Sequence, residues 1–256
     1  MRDGDEGVPA VVLLHGIGGA ARVWAGQLAS LAEAGFTALA LDLPGYGGRP
    51  PVAEMDFEGL AADVEAEIAA RGLDRPVLVG HSMGGMVAQT ALRRYPHAYR
   101  GAVLACTSPA FGNPSGEFQK KFVGERLDPL DTGRTMADLA PALVDRMMAP
   151  SPNAQARAFA IEVMSEVPAD TYRAAVHCLV GFDERDNLPS IPVPILCLAC
   201  ALDPNAPSIV MERMAVKIPT AQYVCLPGVG HLPNLEAPAA FDAAVLHFLH
   251  HAIVAG

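Results

Sequence analysis

The chain has 256 residues, of which 51% are hydrophobic and 18% charged, and its formal net charge is −10. Such a composition supports a sizeable core and excludes disorder, while the acidic balance disfavours nucleic acid and anionic membrane surfaces as partners. No apolar stretch reaches membrane-spanning length and the acidic start, residues 1–6, is unlike a secretory signal, so we expect a cytoplasmic protein.

Strands and helices alternate over the first part of the chain, residues 1–109. Each predicted strand is nearly continuous in apolar residues, which is typical of a parallel sheet covered by helices on both faces. The predicted strands are 11–14, 36–41, 77–79 and 101–105, with helices at 57–71 and 83–95. The first strand runs into a glycine-rich loop at residues 15–19.

The alternation stops at residues 110–190, where we find helical patterns and no convincing strand. Thr135 and Asp138 form a capping pair before one of these helices. We interpret the segment as a helical cap, or lid, inserted into a core domain made of residues 1–109 and 191–256. Its methionines, including Met147 and Met164, suit either an adaptable pocket wall or the ordinary core of the cap.

Alternation resumes with a strand at 195–199, a helix at 210–218, a strand at 222–226 and a closing helix that begins near Pro238. Cys197 and Cys200 form a C-x-x-C within the first of these strands. Residues three apart on a strand point to opposite faces, so the two sulfurs cannot share a bond or a metal ion. We interpret the cysteines as small buried side chains.

The pentapeptide Gly80-His81-Ser82-Met83-Gly84 lies between a predicted strand and a predicted helix. A serine at the apex of such a tight turn has a strained backbone, and the turn tolerates no bulk on either side, which Gly80 and Gly84 satisfy. The helix that follows presents unpaired backbone N–H groups to any anion formed there. Ser82 is therefore a candidate nucleophile.

A serine nucleophile needs a base, and the base needs a third group that orients it. Asp203 and His231 each follow a predicted strand, in the chain order nucleophile, acid, base. Because parallel strands end at one edge of the sheet, we expect Ser82, Asp203 and His231 to meet there.

With these motifs the chain resembles the α/β-hydrolase superfamily over nearly its whole length, and most closely 3-oxoadipate enol-lactonases and carboxylesterase-like serine hydrolases. The matching segments are 15–19, 42–48, 80–84, 203–207 and 228–236. The resemblance implies an α/β-hydrolase fold with a mostly parallel sheet, here of about six strands, and an inserted cap. It implies that Ser82 attacks an acyl carbon, with the backbone N–H groups of Ile17 and Met83 as the oxyanion hole.

The resemblance predicts a cofactor-free serine hydrolase of a small ester or lactone that forms an acyl-enzyme. We assign Gly16, His81, Met147 and Leu232 to substrate binding, with a packing role in the turn as the alternative for His81. Basic residues of 110–190 are outnumbered by acidic ones, so no basic pocket for an anionic enol-lactone is visible. We expect no metal site, a small-molecule ester or lactone as the partner, and leave a homodimer open. A carbon-carbon bond hydrolase of the meta-cleavage type and a receptor-like ligand-binding protein remain alternatives.

Overall fold

Six parallel strands form the centre of the structure, a computed structural model that describes residues 8–112, 115–150 and 153–254. Their spatial order is β2-β1-β3-β4-β5-β6, and each neighbouring pair is parallel. The strands are β1 Val11–Leu14, β2 Ala38–Leu41, β3 Val77–His81, β4 Gly101–Ala105, β5 Ile195–Cys200 and β6 Ala221–Leu226. The predicted sheet of about six strands is confirmed.

Helices follow most of the strands and account for the rest of the regular structure. They are α1 Ala25–Glu33, α2 Phe57–Ala70, α3 Met83–Arg94, α4 Glu117–Asp131, α5 Met136–Met147, α6 Ala154–Ser165, α7 Ala169–Val180, α8 Ser208–Lys217, α9 Pro233–Glu236 and α10 Pro238–Phe248. Short turns of other helix types cover Ala21–Trp24, Leu188–Ser190 and Leu249–Val254. In the part of the chain that the structure describes, every helix is too short or too polar to cross a bilayer.

The four central strands, β1, β3, β4 and β5, are buried at every position, which explains why they are nearly continuous in apolar residues, whereas most positions of the edge strands β2 and β6 are half-buried. On β1, Val12 and Leu14 pack into the core beneath α2, α3 and α8, whereas Val11 and Leu13 pack into the core beneath α1 and α10. The same alternation separates Cys197 from Cys200 and leaves both as free thiols, as their spacing on a strand predicts.

β2 begins at Ala38 and not at Phe36 as predicted, because Phe36 takes part in closing α1. The N–H of Phe36 donates to the carbonyl of Leu31 (2.9 Å). Gly35, which lies between the end of α1 and Phe36, has φ of +86°. This is the Schellman arrangement that closes a helix, and Phe36 supplies the hydrophobic contact that accompanies it. Phe36, whose side chain favours a strand in the sequence, therefore completes the C-terminal cap of α1.

Helices α4–α7 lie between β4 and β5, and we call them the inserted helices. The capping pair predicted before α5 is present: Asp138 N–H donates to Thr135 Oγ1, and Thr135 N–H donates to the Asp138 carboxylate (2.8 Å). Parts of the sequence-based interpretation lie outside the described residues, namely the acidic start at residues 1–7 and positions 113–114 and 151–152 of the proposed cap. Whether residues 110–190 act as a cap remains a proposal.

Candidate active site

Ser82 occupies the turn between β3 and α3 in a conformation that side chains rarely adopt, with φ of +53° and ψ of −117°. The neighbouring glycines leave no room for a side chain. A Cβ on Gly80 would lie 2.4 Å from the Gly84 carbonyl oxygen, and a Cβ on Gly84 would lie 2.3 Å from the Leu14 carbonyl oxygen. The turn therefore requires glycine at both positions, because the backbones of β1, β3 and α3 are in direct contact there.

The structure brings together the three residues that the sequence selects from separate strand ends. His231 Nε2 lies 3.0 Å from Ser82 Oγ, and His231 Nδ1 lies 2.8 Å from Asp203 Oδ2. The network assigns the neutral tautomer in which Nδ1–H donates to Asp203 and Nε2 accepts from the Ser82 hydroxyl. His231 and Asp203 are both buried, so water does not compete strongly for these bonds.

Asp203 is held as a carboxylate although it is buried. Burial by itself would raise its pKa, but the His231 imidazole and the backbone N–H groups of Ala206 and Asn205 together keep the pKa below its ordinary value. Those two N–H groups donate to Asp203 Oδ1 at 3.0 and 2.8 Å. One carboxylate oxygen is thus fixed by the turn after β5, which leaves the other free to orient His231.

The loop after β1 passes directly beside Ser82 and is fixed from two sides. A Cβ on Gly16 would lie 3.1 Å from the Ser82 Cβ. The buried His15 accepts from the Leu43 N–H through Nε2 (3.1 Å), so its Nδ1–H donates to the Gly16 carbonyl (2.8 Å). Tyr46 Oη–H donates to the carbonyl of the next residue, Ile17, at 3.0 Å. The backbone of this loop is consequently held in place next to the nucleophile.

His81 lies behind the candidate base. Its Nε2 is 2.6 Å from the carbonyl oxygen of His231, to which it donates, and its ring packs 5.0 Å from the His231 ring and 6.4 Å from Trp24. Burial, reinforced by the neighbouring His231, lowers the pKa of His81 to about 3. His81 is therefore a neutral hydrogen-bond donor that supports the backbone of His231.

An apolar cavity of about 40 Å³ opens at Ser82 and His231. Its walls come from the Gly16–Gly19 loop, from the turn Ala21–Trp24, from α5 and α6, and from the segment around α9; the large apolar residues among them are Ile17, Val23, Val144, Met147, Val163, Met164, Leu232 and Leu235. Among the described residues that line it there is no lysine or arginine. The cavity is small and its lining is largely apolar, so it suits a small apolar group.

The four residues assigned to substrate binding from the sequence, Gly16, His81, Met147 and Leu232, all line this cavity, as does Ile17. Their contact with a substrate stays a prediction.

Two contributions, those of Val144 and Glu236, were not predicted. Val144 reaches the cavity from α5, and Met164, for which the sequence left a pocket wall and the core of the cap both open, reaches it from α6. Glu236 accepts hydrogen bonds from the loop that carries His231. Only its place in the segment 228–236 could have drawn attention to Glu236.

One group of buried side chains has donor atoms close enough together to raise the question of a metal ion. The nitrogen or sulfur atoms of His81, Cys106 and His231 lie within 4.8 Å of one another. Both ring nitrogens of His231 are already used by Asp203 and Ser82, and burial raises the pKa of the Cys106 thiol. This donor set fits a hydrogen-bonded network better than a metal site.

Comparisons with known proteins show the family to which the chain belongs. A model described as the alpha/beta hydrolase family matches residues 11–244. The chain is 30% identical over 248 residues to polyketide synthase ThaQ of Burkholderia thailandensis, an alignment that covers 94% of this chain and 12% of that much longer protein. It is 31% identical over 250 residues to the pimeloyl-(acyl-carrier protein) methyl ester esterase of Sodalis glossinidius, covering 93% of this chain and 92% of that one. The solved enol-lactonase of Burkholderia xenovorans LB400 superposes with a TM-score of 0.84 at 25% identity, covering 97% of this chain and 94% of that one.

Proposed function

This chain belongs to the alpha/beta hydrolase family, and on that premise we propose that it is a serine hydrolase that cleaves a small, uncharged carboxylic ester or lactone through an acyl-enzyme intermediate. The observation that carries the proposal is the hydrogen-bonded series from Asp203 through His231 to Ser82, with the serine at a strained turn. Such a series is what a hydroxyl needs to become a nucleophile at neutral pH.

In the proposed reaction His231 Nε2 takes the proton as Ser82 Oγ attacks the carbonyl carbon. Asp203 keeps its negative charge and stabilises the imidazolium that forms. The oxyanion would accept hydrogen bonds from the backbone N–H groups of Ile17 and Met83, which flank Ser82 in the loop after β1 and at the start of α3. His231 then protonates the leaving alcohol. A water molecule next gives a proton to His231 as it attacks the acyl carbon, and His231 returns that proton to Ser82 Oγ as the carboxylic acid leaves.

The cavity supports an uncharged substrate with a short acyl group. Without a lysine or arginine among its described lining residues, a carboxylate placed there would lose its hydration without gaining a cationic partner. Its volume of about 40 Å³ disfavours long chains while Met147 and Met164 keep their present positions. The known relatives act on unlike molecules, by their names a carrier-protein methyl ester in one case and an enol-lactone in another, so they leave ester and lactone both open.

The proposal is tested by hydrolysis of p-nitrophenyl esters from acetate to octanoate and of an uncharged γ- or δ-lactone. We expect the wild type to prefer the short esters, and Ser82→Ala to lower kcat/KM by about 10⁴-fold or more because the nucleophile is removed. A fluorophosphonate probe should label the wild type at Ser82.

Ser30→Ala is the matched control, since Ser30 lies on α1 and outside the cavity. It should retain wild-type rates. Failure of the wild type to turn over any ester or lactone, or equal activity of Ser82→Ala, would contradict the proposal.

A further inference from the structure

Glu236, the last residue of α9, accepts three backbone hydrogen bonds through its carboxylate. Oε2 accepts from the N–H of Ala149 (2.7 Å) and from the N–H of Gly230 (3.1 Å), and Oε1 accepts from the N–H of Leu232 (2.9 Å). An ionised carboxylate only accepts hydrogen bonds, so it matches a set of three donors, and bonds to an ionised group are the stronger ones.

The three donors belong to two segments that are far apart in the chain. Gly230 and Leu232 are the residues on either side of His231, the candidate base. Ala149 follows the end of α5, the helix that places Met147 on the cavity wall. The Glu236 carboxylate thus accepts hydrogen bonds both from the loop that carries His231 and from the segment that follows α5.

These two segments also contact each other directly. The N–H of His231 donates to the Met147 carbonyl at 2.7 Å. Gly230 makes the close approach feasible, because a Cβ there would lie 2.5 Å from the Ala149 nitrogen and 2.6 Å from the Met147 oxygen. The backbone of residues 147–149 therefore lies against the backbone of residues 230–231, and the Glu236 carboxylate bonds to both.

We infer that Glu236 is a positioning residue for catalysis: it fixes the His231 loop against residues 147–149, so that the base and one wall of the cavity are held as a unit. The inference rests on the proposed function, because it assigns the consequence of this arrangement to the chemistry of Ser82 and His231. Without the carboxylate, Gly230 and Leu232 lose their common acceptor and the His231 ring loses its fixed distance to Ser82 Oγ.

The test compares the wild type with Glu236→Ala and Glu236→Gln in the full-length chain. The readouts are kcat and KM for p-nitrophenyl butyrate, at a temperature well below each unfolding midpoint and per active site counted by complete fluorophosphonate labelling. A displaced base weakens an interaction made in the transition state, so kcat should fall while KM changes little. Misplacement by about 1 Å costs roughly 100-fold, which is the loss we expect in kcat for Glu236→Ala.

For Glu236→Gln we expect kcat to lie between those of the wild type and Glu236→Ala, lowered roughly 10-fold. Its amide oxygen still accepts a hydrogen bond, while its NH₂ group faces a backbone N–H. Asp138→Asn is the matched control. It removes a carboxylate that accepts a backbone N–H at the start of α5, so it should lower the unfolding midpoint and leave kcat unchanged.

The inference is overturned if kcat per labelled site is unchanged in Glu236→Gln, or if Asp138→Asn loses as much kcat as Glu236→Gln; either result leaves the proposed function standing. If Glu236→Ala does not fold, the Gln variant decides. A wild type that takes up no probe and hydrolyses no ester removes the proposed function, and the inference falls with it.

Discussion

At the scale of single residues, Met164 limits the space beside the candidate nucleophile. A Cβ added to Gly18 would lie 2.2 Å from the Met164 Cε, so the methionine methyl rests on the bare backbone of the loop after β1. Met164 is 4% exposed and lines the cavity. Its side chain therefore occupies room that a longer acyl chain would need.

Met164→Ala should shift the preference of the protein towards longer esters. Removing the side chain enlarges the cavity towards Gly18, and a pocket discriminates between chains that differ by a methylene by about 10-fold or more. We expect the ratio of kcat/KM for the octanoate over the acetate ester to rise on the order of tenfold. The measurement is the p-nitrophenyl ester series.

Met136→Ala serves as the control for this change. Met136 is equally buried, at 4% exposure, but it sits at the start of α5 and does not line the cavity. It should lose about 2–5 kcal/mol of stability with an unchanged chain-length profile. A profile that stays the same in Met164→Ala would show that another part of the wall limits the acyl chain.

How far single residues could be predicted depends on the source of the signal. Ser82, Asp203 and His231 could be selected because each follows a strand, and parallel strands bring their ends together whatever the details of packing. The role of Glu236 could not be predicted, and for Met164 the sequence left a pocket wall and the core of the cap both open. Their roles depend on which face of α6 meets the loop after β1, and on the bonds that the Glu236 carboxylate makes to the loop that carries His231. Both are tertiary contacts.

At the scale of elements, the turn between β3 and α3 depends on contact between backbones. We predict that Gly84→Ala destabilises the fold by about 1–3 kcal/mol, because the new methyl group would lie 2.3 Å from the Leu14 carbonyl of β1 and must push the strand or the helix away. Urea unfolding measures the change. Activity should fall with it, since Ser82 moves with the turn.

Gly26→Ala is the opposite case and the control for that experiment. Gly26 lies in α1, and a Cβ added there would meet no atom from outside its own helix within 4 Å. Alanine should stabilise the helix there by about 0.5–1 kcal/mol. If Gly84→Ala were as harmless as Gly26→Ala, the close approach of β1 and α3 would not be essential to the turn.

The four central strands could be predicted because each is buried on both faces and so appears as a nearly unbroken apolar run. Their ends were harder to predict, as Phe36 shows: its hydrophobic side chain suits a strand, while its N–H closes α1 through Leu31. The orientation of the inserted helices could not be predicted either, since amphipathic patterns say that a helix has a buried face but not what that face meets.

At the scale of the whole molecule, burial of neutral histidines makes stability depend on pH. His81 is neutral in the fold, and burial lowers its pKa to about 3, whereas in the unfolded chain it titrates near 6.5. The pKa of His15 is lowered by burial as well. Below pH 6.5 the unfolded state therefore binds protons that the folded state does not, so stability falls as the pH falls. The lowered pKa of Asp203 acts in the same direction at more acidic pH.

We predict that the free energy of unfolding, measured by urea titration between pH 6 and pH 4, depends less steeply on pH in His81→Asn than in the wild type. The difference should approach 1.4 kcal/mol per pH unit, the slope for one proton taken up only by the unfolded state. The slope is the informative quantity, because the substitution also removes the hydrogen bond to the His231 carbonyl and lowers stability at every pH. His97→Asn, which replaces an exposed histidine, is the control and should keep the wild-type slope. Equal slopes in all three proteins would mean that His81 takes up its proton without unfolding, and that the His231 backbone is not held by a neutral imidazole under acidic conditions.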